Sequence, residues 1–258
     1  MERITVNDCP IKRIKCLSQL KNKNGSLYVS KLFGSIATRY DLLNNLMSFG
    51  RHKLWRQKAV NMAFQNIDVK GPVLDIATGT CDFAIDTERI NSKTNIIGID
   101  FSLPMLKVGI AKLAKRKLNR KINVLMADGH QLPFKKDTFS LVTMGFGIRN
   151  FDNPQLALSE IERVLKPGGR LAILEIFPID NNKVTSRLFN IAFKIAAPIL
   201  GSIFSGNRDA YEYLPSSAES FMSSGQLSQL TAELGLFHVS SKDLAFGSVS
   251  ILISQKGN

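Results

Sequence analysis

Beyond residue 72 the chain alternates two hydrophobic rhythms. Short runs dense in Val, Ile and Leu cover 73–77, 95–99, 122–126, 139–145 and 170–176. Between them lie stretches whose apolar positions step by three and four. Apolar runs of this length, interleaved with helices, are the pattern of a parallel sheet buried on both faces. One helix is predicted to start at Ser102 as its cap, with Pro104 in its first turn and Leu103, Leu106, Ile110, Leu113 and Ala114 along one face. A second opens at Asn153-Pro154 and carries Ala157, Leu158, Ile161, Val164 and Leu165. Lys166-Pro167-Gly168-Gly169 stops it and turns the chain into the next strand. A further helix is predicted over 216–234. Two strands, 237–243 and 249–254, then close the fold around Phe246-Gly247-Ser248. Simple nucleotide folds usually end on a helix, so a closing strand pair narrows the class.

Before residue 73 the pattern differs. Residues 28–70 read as helical, with no strand-like alternation, and residues 1–27 as a basic arm ending in the turn-like Asn22-Lys23-Asn24-Gly25. Residues 183–204 are largely apolar but broken by Arg187, Lys194 and Pro198. They fit an interfacial amphipathic segment, a cap over a pocket or a core helix pair, with cap or core favoured over membrane insertion. The organisation expected is an arm (1–27) and one domain (28–258). That domain comprises a helical cap (28–70) and an α/β core (71–258) with a cap insertion at 178–215.

With 258 residues, 44% hydrophobic and 21% charged, the chain can bury a sizeable core. No apolar run reaches the roughly 18 residues of a spanning helix. The start has no apolar core of a secretory signal. Cys9, Cys16 and Cys81 form no CxxC pair, which fits neither a zinc site nor a disulfide framework. A cytoplasmic setting is expected.

The formal net charge is +13, and residues 1–60 hold twelve Lys/Arg against three Asp/Glu. A second stretch, 107–121, has seven basic residues and no acid. Such an excess suits an anionic partner, nucleic acid or a phospholipid surface, or is a solvated helix face. Aromatics do not interleave with the basic stretch and no recognised binding motif appears, which argues against nucleic acid.

Candidate chemistry starts at 73–82, where a buried strand carries Asp75 and runs into a small-residue loop with Gly79 and Thr80. Such a loop lets backbone approach a ligand closely. Asp75 can accept from an ammonium group or brace the loop. Asp100, 21 residues past Gly79, ends the next strand, where a carboxylate suits ribose hydroxyls. Dinucleotide enzymes share that spacing, but GxGxxG is absent. Asp128-Gly129 follows the third strand, where an acid can accept from an adenine amino group.

With the Lys166-Pro167-Gly168-Gly169 turn, these acids resemble the class I S-adenosylmethionine-dependent methyltransferase fold. That likeness implies a Rossmann-like α/β architecture with a seven-stranded, mostly parallel sheet, helices on both faces and one antiparallel strand near the end. Residues 40–56, Tyr-Asp-Leu-Leu-Asn-Asn-Leu-Met-Ser-Phe-Gly-Arg-His-Lys-Leu-Trp-Arg, closely resemble the first signature of the UbiE/MenG family. The segment from Arg163 to Glu175, the stretch 145–150 and Tyr211-Glu212-Tyr213-Leu214-Pro215 resemble further parts of it.

The resemblance implies C-methylation of a polyprenylated quinol, demethylmenaquinol above all, with S-adenosylmethionine as donor and no metal. A methoxy-benzoquinol of ubiquinone synthesis, or another small molecule, stands as the alternative acceptor. Cofactor contacts then fall at Thr80, Asp100, Asp128, Gly129 and Gly145, beside Asp75 and Gly79 of the loop. Tyr40, Asp41, His52, Arg149 and Asn150 are expected to gather at the substrate ring, with His52 moving a proton and Arg149 stabilising a phenolate. The polyprenyl tail implies peripheral contact with an anionic membrane surface, and a homo-oligomer is compatible. The sequence departs from the family pattern at Thr78 and Cys81, where glycines are usual, and at Phe177.

Overall fold

In the computed structural model, which describes residues 24–67, 69–178, 213 and 216–258, the apolar runs pair into one sheet. Its strands are β1 (Val73–Ile76), β2 (Ile96–Asp100), β3 (Ile122–Met126), β4 (Phe139–Gly145), β5 (Leu165–Ile176), β6 (Leu236–Leu244) and β7 (Val249–Lys256). They lie in the order β3-β2-β1-β4-β5-β7-β6. β1 to β5 run parallel, and β7 is antiparallel to both its neighbours. This is the seven-stranded α/β architecture expected.

The helices are α1 (Asn24–Ile36), α2 (Tyr40–Ser48), α3 (Arg51–Phe64), α4 (Asp82–Ile90), α5 (Leu103–Lys115), α6 (Pro154–Val164) and α7 (Ser224–Glu233). Successive strand side chains point to opposite faces. Leu74, Val142, Leu171 and Ile173 therefore pack with α6 and α7 through Leu158, Ile161 and Leu227. Their neighbours Val73, Leu141, Ala172 and Leu174 pack with α3 and α4 through Ala59, Val60, Ala63 and Phe83. Two buried faces explain why the strands read as unbroken apolar runs.

α3 thus belongs to a core layer. Arg170 of β5 fixes its end by donating from Nη1 to the carbonyls of Ala63 (3.1 Å) and Gln65 (2.7 Å), which lack helical partners. Within the expected 28–70 cap, α1 and α2 form a small cluster of their own around Leu32, Ile36 and Leu43. α1 begins at Asn24, inside the segment assigned to the arm. The rest of that arm, and nearly all of the 178–215 insertion with its apolar 183–204 stretch, lie outside the described residues.

Local expectations shift in four places. β5 starts at Leu165, and its pairing with β4 jumps from Leu165 to Arg170, so Lys166-Pro167-Gly168-Gly169 loops out of the ladder with Gly168 at φ 71°. The helix predicted over 216–234 breaks before Ser223. That residue caps α7 in a reciprocal pair with Gln226, whose N–H donates to Ser223 Oγ (3.2 Å) while Ser223 N–H donates to Gln226 Oε1 (2.8 Å). Ser102 occupies the cap of α5, but its hydroxyl donates instead to the carbonyl of Ser30 in α1 (3.4 Å). The buried face of α5 is Met105, Leu106, Gly109 and Leu113, leaving Ile110 and Ala114 exposed. Gly109 causes this rotation: a Cβ there would lie 2.5 Å from Cys81 Sγ.

Candidate functional site

The chain leaves β1 and β4 in opposite directions, so the loops after these paired strands diverge and open a crevice, the usual ligand position in such sheets. Its open space is about 800 Å³, part of it facing solvent. The loops after β1, β2, β3 and β4 form its walls, and α1 with the start of α2 covers it.

The β1 loop is tightly wound. Ala77, Gly79 and Cys81 all have positive φ (54°, 55° and 67°), though only one is glycine. Its bonds hold it. Thr78 N–H donates to the Ile99 carbonyl (2.9 Å), Cys81 N–H to the Thr78 carbonyl (2.8 Å), and Gly79 N–H to Asp100 Oδ2 (2.8 Å). Thr78 and Cys81 of this loop each face a glycine. A Cβ on Gly98 would meet Thr78 Oγ1 at 2.9 Å, as one on Gly109 would meet Cys81. The side chains of Thr78 and Cys81 fit because Gly98 of β2 and Gly109 of α5 leave them room. Cys81 is buried, which pushes its thiol up to about 12 and fits packing.

Asp75 lies beneath this loop, not on the crevice wall. Its carboxylate accepts from Thr78 Oγ1 (2.5 Å) and Thr143 Oγ1 (2.8 Å), and burial pushes it up to about 6. Asp100 does line the crevice. Its second oxygen accepts from Ser102 N–H (2.8 Å), and burial raises it above the usual carboxylate range despite these bonds. Asp128, Gly129, Gly145 and Gly79 also line it. Thr80 does not: its hydroxyl donates to Asp41 Oδ1 (2.7 Å) and accepts from Lys112 Nζ (3.0 Å).

Of the five residues expected at the substrate ring, the crevice brings together Tyr40 and Asn150. Tyr40 is packed edge-on to Phe33, and burial raises its phenol above the ordinary value. Asn150 donates from Nδ2 to the Phe146 carbonyl (3.2 Å) and accepts at Oδ1 from the Tyr213 hydroxyl (3.0 Å). Asp41, His52 and Arg149 are absent from the lining, each for a physical reason. Asp41 pairs with Lys112 (2.5 Å). His52 is 4% exposed, its Nδ1 lies 2.7 Å from Ser48 Oγ, and burial together with Arg56 lowers it to about 4. Arg149 binds the fully buried Glu175 and the Phe146 carbonyl (2.9 Å).

One lining residue had not stood out in the sequence. His130 Nδ1 and its own N–H both meet Asp128 Oδ1, at 2.7 and 2.9 Å. Its Nε2 accepts from Asn153 N–H (3.3 Å), so the neutral ring carries its proton on Nδ1 and donates to the acid. Phe151 packs on the ring with centroids 5.0 Å apart, and its own ring lies 2.5 Å from where a Cβ of Gly129 would be. The signal available was the Asp-x-His spacing, which is too common to single out.

The crevice offers two carboxylates, Asp100 and Asp128, with Phe101, Met105, Ala127 and Phe151 among the apolar surfaces around them. An adenosyl sulfonium presents hydroxyl and amino donors, a flat apolar base and a positive charge, and these residues fit it. Among the described residues no cluster of three or more His, Cys, Asp or Glu could hold a metal ion.

Sheet, switch-point crevice and facing acids together define a class I S-adenosylmethionine-dependent methyltransferase. Among solved structures the fold is similar to S-adenosylmethionine-dependent methyltransferases of Thermotoga maritima and Aquifex aeolicus. The first has a TM-score of 0.58 at 20% identity, covering 88% of this chain and 99% of that one. The second has a TM-score of 0.58 at 18% identity, covering 83% and 97%. The profile of the ubiE/COQ5 methyltransferase family matches residues 19–256, and the chain belongs to that family. It is 39% identical over 225 residues to the demethylmenaquinone methyltransferase of Thermus thermophilus, covering 87% of this chain and all of that one. It is 38% identical over 230 residues to the ubiquinone/menaquinone biosynthesis C-methyltransferase UbiE of Geobacter sulfurreducens, covering 89% and 88%.

Proposed function

We propose that this protein methylates a ring carbon of a polyprenylated quinol, demethylmenaquinol first and a benzoquinol of the ubiquinone series second. The observation that carries the reading is the crevice itself. Its carboxylate-bearing walls meet an aromatic cover, Phe33 and Tyr40, within one space. The names of the relatives, demethylmenaquinone and ubiquinone/menaquinone methyltransferases, support the choice of acceptor.

Asp100 and Asp128 would hold the adenosyl group, the first at the ribose and the second at the base amino group. When bound, that cofactor supplies an electrophilic methyl. His130 acts as a positioning residue by fixing Asp128 from one side. The ring carbon becomes a nucleophile when its hydroxyl loses a proton, and it sheds its own proton after gaining the methyl. A phenol with pKa near 10 is mostly protonated at neutral pH, so any group that favours the anion helps. Tyr40 stays protonated in its buried setting and can donate to the developing oxyanion. Asn150, held by Phe146 and Tyr213, borders the same space. The cover of α1 and α2 screens part of this space from water.

A lipid tail on the acceptor makes the bilayer surface the place of work, while no described helix is long and apolar enough to cross a membrane. The test uses purified protein, labelled S-adenosylmethionine and short-tailed demethylated naphthoquinol or benzoquinol. The expected result is a product heavier by one methyl, more from the naphthoquinol. Cofactor uptake seen by calorimetry with no methylated product from either quinol would overturn the reading. Asp100→Ala should weaken that uptake on the order of 100-fold, since charge-assisted bonds are each worth about 1.5–3 kcal/mol.

A further inference from the structure

We propose that the turn between α2 and α3 is a docking surface for an anionic lipid bilayer, with Phe49 as its apolar tip. The purpose of this contact rests on the quinol reading, but the contact itself rests on the groups displayed. Phe49 is 92% exposed and sits at φ 50°, followed by Gly50 at φ 73°. A left-handed helix end favours glycine or asparagine. A phenylalanine there is disfavoured by its backbone and gains no burial within the chain. Neither local propensity nor packing explains it.

Its surroundings repeat the theme. Leu54, in the first turn of α3, is 66% exposed, and Leu42 of α2 is 50% exposed. Lys31, Arg39, Arg51, Lys53 and Lys58 are all exposed on or beside these helices. The one acid in 24–64, Asp41, is tied to Lys112. Apolar Phe49 and Leu54 interleaved with Arg51 and Lys53 suit insertion at the headgroup level of an anionic leaflet, the other cations adding a longer-range positive field. Aliphatic Leu42 and Leu54 favour lipid over nucleic acid, whose binders present stacking aromatics. Tyr40, at the other end of α2, lines the crevice, about 13 Å away along the helix. Docking the turn therefore holds the crevice near the lipid in which a prenyl tail resides.

The experiment is flotation of the full chain with phosphatidylglycerol-containing and with pure phosphatidylcholine vesicles. The wild type should bind the anionic vesicles and be released by high salt. Phe49→Ser with Leu54→Ser should weaken binding at least about tenfold, as expected for losing two inserted side chains. Arg51→Gln with Lys53→Gln should weaken it comparably, about fivefold per charge. Both variants should methylate a tail-less quinol at the wild-type rate, a readout that also certifies their fold. Equal vesicle binding by the active serine variant overturns the proposal, as does indifference of the wild type to lipid charge. A lipid-free shift in sedimentation on Phe49→Ser would assign the patch to a second copy instead, and salt-sensitive RNA binding lost in the same variant would assign it to nucleic acid. Failure of the wild type to methylate the tail-less quinol would strike the quinol reading and leave the vesicle result standing.

Discussion

The walls of the crevice and its cover are held by different physics. The walls are tied by main-chain N–H donors. Gly79 N–H meets Asp100, Ala127 N–H meets the Asp100 carbonyl (3.1 Å), and Phe146 N–H meets the Leu174 carbonyl (2.7 Å). The cover has its own small apolar cluster and is tied down by side-chain charges. Asp41 of α2 binds Lys112 of α5 (2.5 Å), which binds Asp82 of α4 (2.7 Å). Arg56 of α3 in turn binds Asp82 (3.3 Å) and Asp86 (2.8 Å). Burial would raise Asp82, but Arg56 and Lys112 outweigh it and hold the carboxyl low. Main-chain bonds fix a donor site in advance, whereas an ion-pair latch can shift by small side-chain movements. Under the proposed function, cofactor retention would fall to the walls and acceptor admission to the cover.

The strongest way to test the wall half is Arg149→Ala. The change strands Glu175, which has no exposed surface, without the cation beside it. Removing one partner of a buried pair costs about 3–5 kcal/mol, so the urea midpoint should fall steeply. Adding Glu175→Gln should recover part of the loss. A stability change under about 1 kcal/mol, coupled with lost turnover, would return Arg149 to the catalytic role that the family resemblance implies.

A smaller effect probes the cover. Lys112→Met leaves Asp41, Asp82 and the Thr80 hydroxyl without their shared donor. These carboxylates are partly exposed, so the loss should be about 1–2 kcal/mol rather than that of a sealed pair. Calorimetric cofactor affinity should stay within about twofold, while the KM for a short-tailed quinol rises several-fold. An equal loss of cofactor affinity would dissolve the distinction between walls and cover.

The architecture was legible in the sequence because burial on both sheet faces writes itself as unbroken apolar runs. The crevice acids Asp100 and Asp128 were legible because strand ends are fixed in register with the motif. Side-chain partners were not. Nothing in the spacing of residues 40–52 reveals that Asp41 finds Lys112, because that pairing depends on how α2 packs against α5; the His52–Ser48 contact spans only four residues, and it is the burial of the ring that the sequence does not show. Asp75 and Asp100 show the same limit: one stands a residue inside the end of β1 and the other at the end of β2, yet the first braces the loop from below while the second faces the ligand space. The rotation of α5 had a similar origin, since a glycine opposite Cys81 outweighed the apolar stripe.

The finest discrimination concerns His52, on the cover side, and turns on sign. Its ring falls from an ordinary 6.5 to about 4, chiefly because burial disfavours the charged form and Arg56 adds repulsion. Between those values the unfolded chain binds more protons than the folded one. Stability contributed by neutral His52 is therefore complete above pH 6.5 and lost as pH falls toward about 4, at up to about 1.4 kcal/mol per unit. Asp75, raised to about 6 by burial, has the opposite sign: its contribution is complete below its unfolded value and lost as pH rises through about 6. The two partly cancel over the interval they share, so the wild-type acid limb should look shallow. His52→Gln removes one of them. Near pH 7 the variant should differ only by its altered bond to Ser48, about 1 kcal/mol or less. Near about pH 5.5 the difference should move in the variant's favour by about 1 kcal/mol, read from urea midpoints across the range. If the difference stays constant with pH, the folded protein protonates His52 as readily as the unfolded chain, and the ring regains the freedom that a proton shuttle requires.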